Sequence, residues 1–313
     1  MTQAKGSSVQ LLLDYETTYG ADPAVPNAYI MPVNSITLAA DQSKNSPATL
    51  RGDRNPTVPW DGNRNVNGSI VVPVDYTAFW YWLQAMFKDP TTSGGPVYTH
   101  KFTVQDDQES LVLDKGFTDI TKYWKYNGCK ISRWSMNLGG DEELVSTFDI
   151  IGSAETLGTS PLDATPNSLT LGRLDNFEAS LKEGGSSIAN VKTLSFAVDF
   201  GLDPDCFVIG GAGIRGGLPE GVLSVTGNLT ALFENHTLAD KAVASTETSI
   251  GIEIVSGSYG LKIYFDELQY ARPKTLVEGP KGILISLDWA AYYDDDADAS
   301  SIWVQCLNAD AHA

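Results

Sequence analysis

Short stretches in which apolar and polar residues alternate run along most of the chain, separated by glycine and proline. Trp134, Met136 and Leu138 share one parity while Arg133, Ser135 and Asn137 share the other, and Leu144, Phe148 and Ile150 are set against Thr147 and Asp149. Towards the C-terminus Ile283, Ile285, Leu287 and Trp289 alternate with Ser286 and Asp288, followed by Ile302, Val304 and Cys306. A period of two puts one set of side chains on each face of a strand, so the chain reads as mainly β. Asn127-Gly128 tolerates the positive φ of a two-residue turn, which predicts a hairpin of Lys122–Tyr126 with Cys129–Leu138. One strong helix is predicted, over Asp75–Lys88, with Asp75 as N-cap and Phe79, Trp82, Leu83, Met86 and Phe87 at helical spacing. That stripe is too aromatic to face water and is expected to lie across a sheet.

The strands also repeat. Asn34–Asp41 parallels Lys192–Asp199 at an offset of 192 − 34 = 158, and Val66–Ile70 parallels Val225–Leu229 at 225 − 66 = 159. Leu144–Asp149 parallels Ile283–Asp288 at 283 − 144 = 139, with inward and outward positions in register. Three matches in one order predict a duplicated β domain, residues 1–155 and 165–313. The join falls in Ser153–Ser168, where Gly, Ser, Thr and Pro crowd together.

Charge narrows the chemistry. The 313 residues carry 21 Lys+Arg against 39 Asp+Glu, a formal charge of −18, which disfavours a protein whose task is to grip phosphates or an anionic membrane. Met1–Ser8 has no apolar core of a signal peptide and no run is long enough to span a bilayer, so synthesis and folding in a cytoplasm are expected. The three cysteines, Cys129, Cys206 and Cys306, form no ligand or redox pair and are expected as reduced thiols.

Two apparent motifs fail on context. Gly211-x-Gly213-x-x-Gly216 has the spacing of a dinucleotide loop, but Gly217-Leu-Pro-Glu-Gly221 cannot open the helix that would hold a pyrophosphate. A glycine-rich loop at a β edge or subunit contact is expected instead. Asp294, Asp296 and Asp298 imitate the start of a calcium loop, but Ala299 and Gln305 stand at its sixth and twelfth positions, so a solvated hairpin tip is expected. The three histidines, His100, His236 and His312, match no zinc or serine-hydrolase pattern. Asp141-Glu142-Glu143 and Asp266-Glu267 are expected as solvated turns between strands. No enzyme activity, cofactor or metal is expected.

The first 90 residues carry a family resemblance. Val9–Asp14 followed by Tyr15-Glu16-Thr-Thr-Tyr19-Gly20-Ala-Asp22-Pro23, then Tyr29-Ile30 and the strand Ile36–Ala40, resembles the opening of tail tube proteins of long-tailed, non-contractile bacteriophages. Arg51-Gly-Asp-Arg54-Asn-Pro56 and Asn67–Pro73, leading into a helix near Asp75, continue it. The resemblance implies tandem tail-tube-type β-sandwich or barrel domains, each with a short flanking helix. It implies rings, stacked head to tail, whose joined inner sheets form a conduit for genome ejection, within a virion tail assembled in the host cytoplasm. The partners implied are further copies of the chain, tape-measure and tail-terminator or tail-tip proteins, and DNA that passes without specific binding.

With the duplication, a pseudo-sixfold ring is expected from three chains, the alternative being six. An acidic lumen would repel phosphates, which turns the charge of −18 into a property suited to a conduit. The N-terminal segment Thr2–Tyr19 and the loop Gln42–Asn65 are the expected assembly contacts, through Val9, Leu11, Tyr15, Glu16, Tyr19, Arg51, Arg54 and Trp60. Two rival classes remain open: a receptor-binding or lectin-like β protein using Trp60, Trp80, Trp82 or Trp124, and a carbohydrate-active enzyme using the acidic turns.

Overall fold

The first part of the chain builds β1 (Val9–Tyr15), β2 (Tyr29–Met31), β3 (Ser35–Ile36), β4 (Ala39–Asn45), β5 (Trp60–Pro73), α1 (Phe79–Phe87), β6 (Thr91–Gly94), β7 (Tyr98–Thr103), β8 (Leu111–Phe117), β9 (Lys122–Leu138), β10 (Val145–Gly152) and β11 (Ala154–Gly158). The second builds β12 (Asn167–Ser168), β13 (Ala179–Glu183), β14 (Ser186–Ser187), β15 (Val191–Asp199), β16 (Ser224–Leu232), α2 (Thr237–Ala244), β17 (Thr248–Ser256), β18 (Tyr259–Tyr270), β19 (Leu284–Ala291) and β20 (Trp303–Asn308). These come from a computed structural model, which describes residues 3–273, 282–293 and 299–312. The aspartates at 294, 296 and 298 lie outside the described residues.

Two long strands organise the sheets. The N-terminal part of β9 pairs with β8 and β11 in an outer sheet that continues through β1 and β2. Its C-terminal part pairs with β10 and β15 in an inner sheet. β18 does the same in the second half, passing from β17 and β20 to β19. The hairpin expected at Asn127-Gly128 is therefore not there: the two predicted arms are one continuous strand that changes sheets at this point. Glycine is needed for the corner itself. Gly128 has φ +61°, and a Cβ there would lie 2.8 Å from the Ser153 Cβ and 2.9 Å from the Tyr19 ring. Asp266-Glu267, expected in a turn, likewise sits inside β18.

The pairing pattern occurs twice. The contacts β1–β8, β8–β9, β9–β10, β10–β5, β5–β4 and β9–β11 recur as β13–β17, β17–β18, β18–β19, β19–β16, β16–β15 and β18–β20. The registers coincide as well. Phe148 faces Ile70 as Leu287 faces Leu229, and Ala40 faces Val66 as Val198 faces Val225, positions related by the sequence offsets above. Even the irregularity is shared. β8 skips between Leu111 and Leu113 opposite Cys129 and Tyr126, and β17 skips between Thr248 and Ile250 opposite Leu268 and Phe265.

The halves are interleaved. β7 pairs with β20 along Thr103↔Trp303 to Tyr98↔Asn308, so a hairpin from the first half extends the outer sheet of the second. Ala154–Gly158, inside the expected linker, is a strand of the first outer sheet, and β12 runs parallel to β2. One apolar core runs through both halves, with the Trp134 ring 5.0 Å from Phe196 and Phe196 5.3 Å from Phe265.

The helix begins later than predicted and is buried more deeply. All residues of α1 except Gln84 are buried, with Phe79 and Trp82 against Phe148 of the inner sheet and Trp80 against Phe102 and His312. Asp75 stands before the helix, where its Oδ1 accepts from the N–H groups of Thr77 (2.7 Å) and Ala78 (2.5 Å). Burial pushes the Asp75 carboxyl up to about 6, against the backbone N–H groups that favour its ionised form. Since this folded value lies above the unfolded one, the folded chain holds the extra proton between pH 4 and 6. This group's stability contribution is present at low pH and falls, by about 3 kcal/mol, as pH rises through that window. Asp75→Asn, which keeps an acceptor, should remove this component. The difference in thermal midpoint between parent and variant, followed from pH 4 to 7, checks it; parallel curves would refute the assignment.

Candidate functional site: the inner sheet, its joint and its edges

Among the described residues the inner sheet has eight strands in the order β4, β5, β10, β9, β15, β16, β19 and β18, with β3 continuing the β4 edge. The centre of this sheet is a joint between halves: Leu138 to Arg133 of β9 stand opposite Leu194 to Asp199 of β15. Cross-strand rows run through the joint without a break. Val71, Thr147, Ser135, Ala197, Thr226, Ala290 and Gln269 lie side by side over seven strands.

One face of this sheet covers the core and the other is open. On the open face small and hydroxylated residues predominate, with Asp41, Asp149, Asp199 and Asp288 against Arg133. At these described positions aspartate outnumbers arginine. Arg133 stands directly between Asp149 and Asp199, and Asp149 also accepts from Ser69 Oγ at 2.5 Å. Along the joint the face is concave, with a trough of about 560 Å³ bordered by Arg133, Asn137, Asn228 and Trp289.

The loop between β15 and β16 locks the joint from one end. Arg215, 5 % exposed, donates from Nη1 to the Gly152 carbonyl (2.8 Å), from Nη2 to Asn65 Oδ1 (2.8 Å) and from Nε to the Pro204 carbonyl (2.6 Å). Ser153 Oγ donates to the Arg215 carbonyl, and Arg64 N–H to that of Gly213. Lys130 pairs with Glu220. The G-x-G-x-x-G segment is thus part of a contact between halves of one chain. Arg215 itself was not singled out from the sequence. Its only local signal is a lone arginine in a glycine-rich loop.

The expected contact residues divide into two groups. Val9, Leu11 and Tyr15 lie on β1, which pairs on both sides; Leu11 is buried and Tyr15 Oη donates to the Tyr81 carbonyl. Residues 9–15 of the expected N-terminal arm are thus a strand within the outer sheet. Glu16 and Tyr19 sit at the corner of β9, where Glu16 accepts from the N–H groups of Gly20 (2.7 Å) and Gly128 (2.8 Å) and burial raises both side chains' pKa. Asp22 pairs there with Lys125 and accepts from Asn127. The phrase Glu16–Asp22 is therefore a clamp on the sheet-changing corner. By contrast Arg51, Arg54 and Trp60 are exposed, in a two-stranded arm where β4 and β5 run on past β10 to the pair Asn45↔Trp60.

Among the tryptophans of the lectin-like reading, Trp80 and Trp82 are buried and Trp124 packs on Phe117, leaving Trp60 exposed. Cys129 and Cys306 are buried thiols and Cys206 is half-buried. No described helix is long and apolar enough to cross a membrane.

Compared with known proteins, residues 6–291 match the family model described as phage tail tube protein. A search of curated proteins gives no match.

Proposed function

The chain belongs to the phage tail tube protein family and is a structural component of the virion tail, and on that premise we propose that it forms stacked rings in which each chain supplies two tube domains. The observation that carries this reading is the joint of β9 with β15. An edge-to-edge contact of inner sheets, which single-domain subunits would have to make between chains, is made here within one chain. Repetition of the same joint between chains gives lateral contacts that close, while the two ends of the ring stay open for stacking. Three chains of eight strands close a barrel of 3 × 8 = 24, with the halves alternating around the axis. The paired registers support residues 1 to about 158 and about 165 to 313 as the two units.

The open face of the inner sheet becomes the lumen. Its hydroxyl, amide and small side chains offer no cluster of cations to hold phosphates, and the surplus of aspartates repels them, so DNA slides through. The acidic character is moderate on this face; most of the −18 lies elsewhere on the chain. Tape-measure and terminator proteins are the further partners of such a tube. Cryo-EM of assembled tubes is expected to show three chains per ring with both halves contributing strands to the lumen. Six chains per ring, or one half lying outside the wall, would overturn the stoichiometry.

A further inference from the structure

A ring joint needs an edge that receives a strand, and the second half identifies it. β15 receives β9 along Leu194–Asp199; the positions 158 residues earlier, Ile36–Asp41, form the outermost strand of the first half and pair on one side with β5. Because the Thr37 N–H donates inward to Ser69, the backbone groups of Leu38 and Ala40 point outward. Two of these groups are covered from within the chain. Lys115 Nζ donates to the Leu38 carbonyl at 2.7 Å, and the Ala40 N–H donates to Glu155 Oε2 at 3.4 Å. Both caps reach across the open mouth of the sandwich from the outer sheet, Lys115 from β8 and Glu155 from β11, with the Lys115 ammonium 5.3 Å from the centre of the Tyr126 ring.

The second half lacks both caps. The shared bulge makes Tyr126 equivalent to Phe265 and places Ile252 where the first half has Lys115. Glu155 faces Tyr126; the residue next to the pair Tyr264↔Trp303, facing Phe265, is Ile302. Ile252 and Ile302 are fully buried. Where the edge is sealed by β9 the mouth is closed by two isoleucines, and where the edge is bare it carries a lysine and a glutamate. Inward-pointing charge at a bare edge is a device against premature strand pairing.

Resting on the ring reading, we propose that Lys115 and Glu155 are a displaceable cap on the receiving edge Ile36–Asp41, which keeps the isolated subunit from polymerising until the strand of a second copy takes the outward groups of Leu38 and Ala40. Docking must strip the cap from those groups, so removing it lowers the barrier to lateral association. The purified full chain is compared with Lys115→Ile, the residue of the second half, and with Glu155→Gln, by sedimentation over a concentration series and electron microscopy of the pellets. Lys115→Ile is expected to lower the concentration at which tubes form by about tenfold, equivalent to about 1.4 kcal/mol, and Glu155→Gln by a smaller factor. Adding Ala40→Pro to either should abolish the tubes, since proline has no N–H for the incoming strand. Folded Lys115→Ile that assembles no more readily than the parent overturns the cap while leaving the tube reading intact. If Lys115→Ile fails to fold, Glu155→Gln decides in the same way. Tubes that persist with Ala40→Pro overturn the edge. A parent and variants that all stay monomeric at every concentration remove the tube reading and the cap together.

Discussion

Arg215→Met is expected to lower the thermal midpoint of the subunit by about 5–10 °C and to open the loop from 201 to 223 to protease. The guanidinium is buried and its three donors end on the Gly152 carbonyl, Asn65 and the Pro204 carbonyl. Two of these belong to the first half, at the end of β10 and within β5. Methionine fills much of the space but satisfies none of the acceptors, and each charge-assisted bond lost at a buried site costs about 1.5–3 kcal/mol. Removing the buried charge returns part of that, which leaves a net loss of about 2–4 kcal/mol. Arg215→Lys should recover little, because a point charge on a flexible stem cannot span acceptors arranged for a planar fork. Differential scanning fluorimetry with limited thermolysin digestion, which can cut beside Phe207, Val208 and Ile209 of this loop, reads both effects. A variant that melts within about 1 °C of the parent, with the loop still resistant, would show that the joint is held by the strand ladder and the core alone.

Arg215 also shows where sequence reading stops. The alternation of Trp134, Met136 and Leu138 located the strand and its inward face, and the repeats aligned β4, β5 and β10 in register with β15, β16 and β19. Local periodicity suffices for this because burial of one strand face is a local property. Asn127-Gly128 misled for a physical reason. Positive φ suits a hairpin turn and a sheet-changing bulge equally, and the choice is made by groups far away in sequence, namely the Glu16 carboxylate and the Ser153 and Tyr19 side chains around Gly128. The pairing of β7 with β20 joins residues about 200 apart and has no local signature. Within the expected contact loop Gln42–Asn65, the exposure of residues 46–59 was legible because a polar, proline-rich stretch buries too little to order itself. That β1, within the expected contact segment Thr2–Tyr19, is paired on both edges is not legible from its seven residues alone.

Replacing Ser46–Pro59 by Asn-Gly should leave the subunit as stable as the parent while reducing tube mass at least about tenfold. The arm closes naturally at that point. Asn45 and Trp60 are already a cross-strand pair, so a two-residue turn joins them without altering the ladder. The residues removed are mostly exposed, Leu50 at 97 % and Val58 at 86 %, and Arg51 pairs with Asp53 inside the same segment. Little folding free energy is therefore lost. The counterpart of this segment is the loop after β15, which grips the neighbouring half through Arg215 and seals the joint from one end. On the ring reading, the same task between chains is proposed for the loop after β4, which holds Arg51 and Arg54 and extends a ladder that runs further, to Asn45↔Trp60, than its counterpart ending at Asp199↔Ser224. An unchanged thermal midpoint, within about 2 °C, together with lost polymerisation is the outcome that assigns the segment to assembly. Tubes of normal yield would mean that the strand edge alone closes the ring. A large drop in midpoint would mean that the exposed loop serves the subunit's own fold, contrary to its burial.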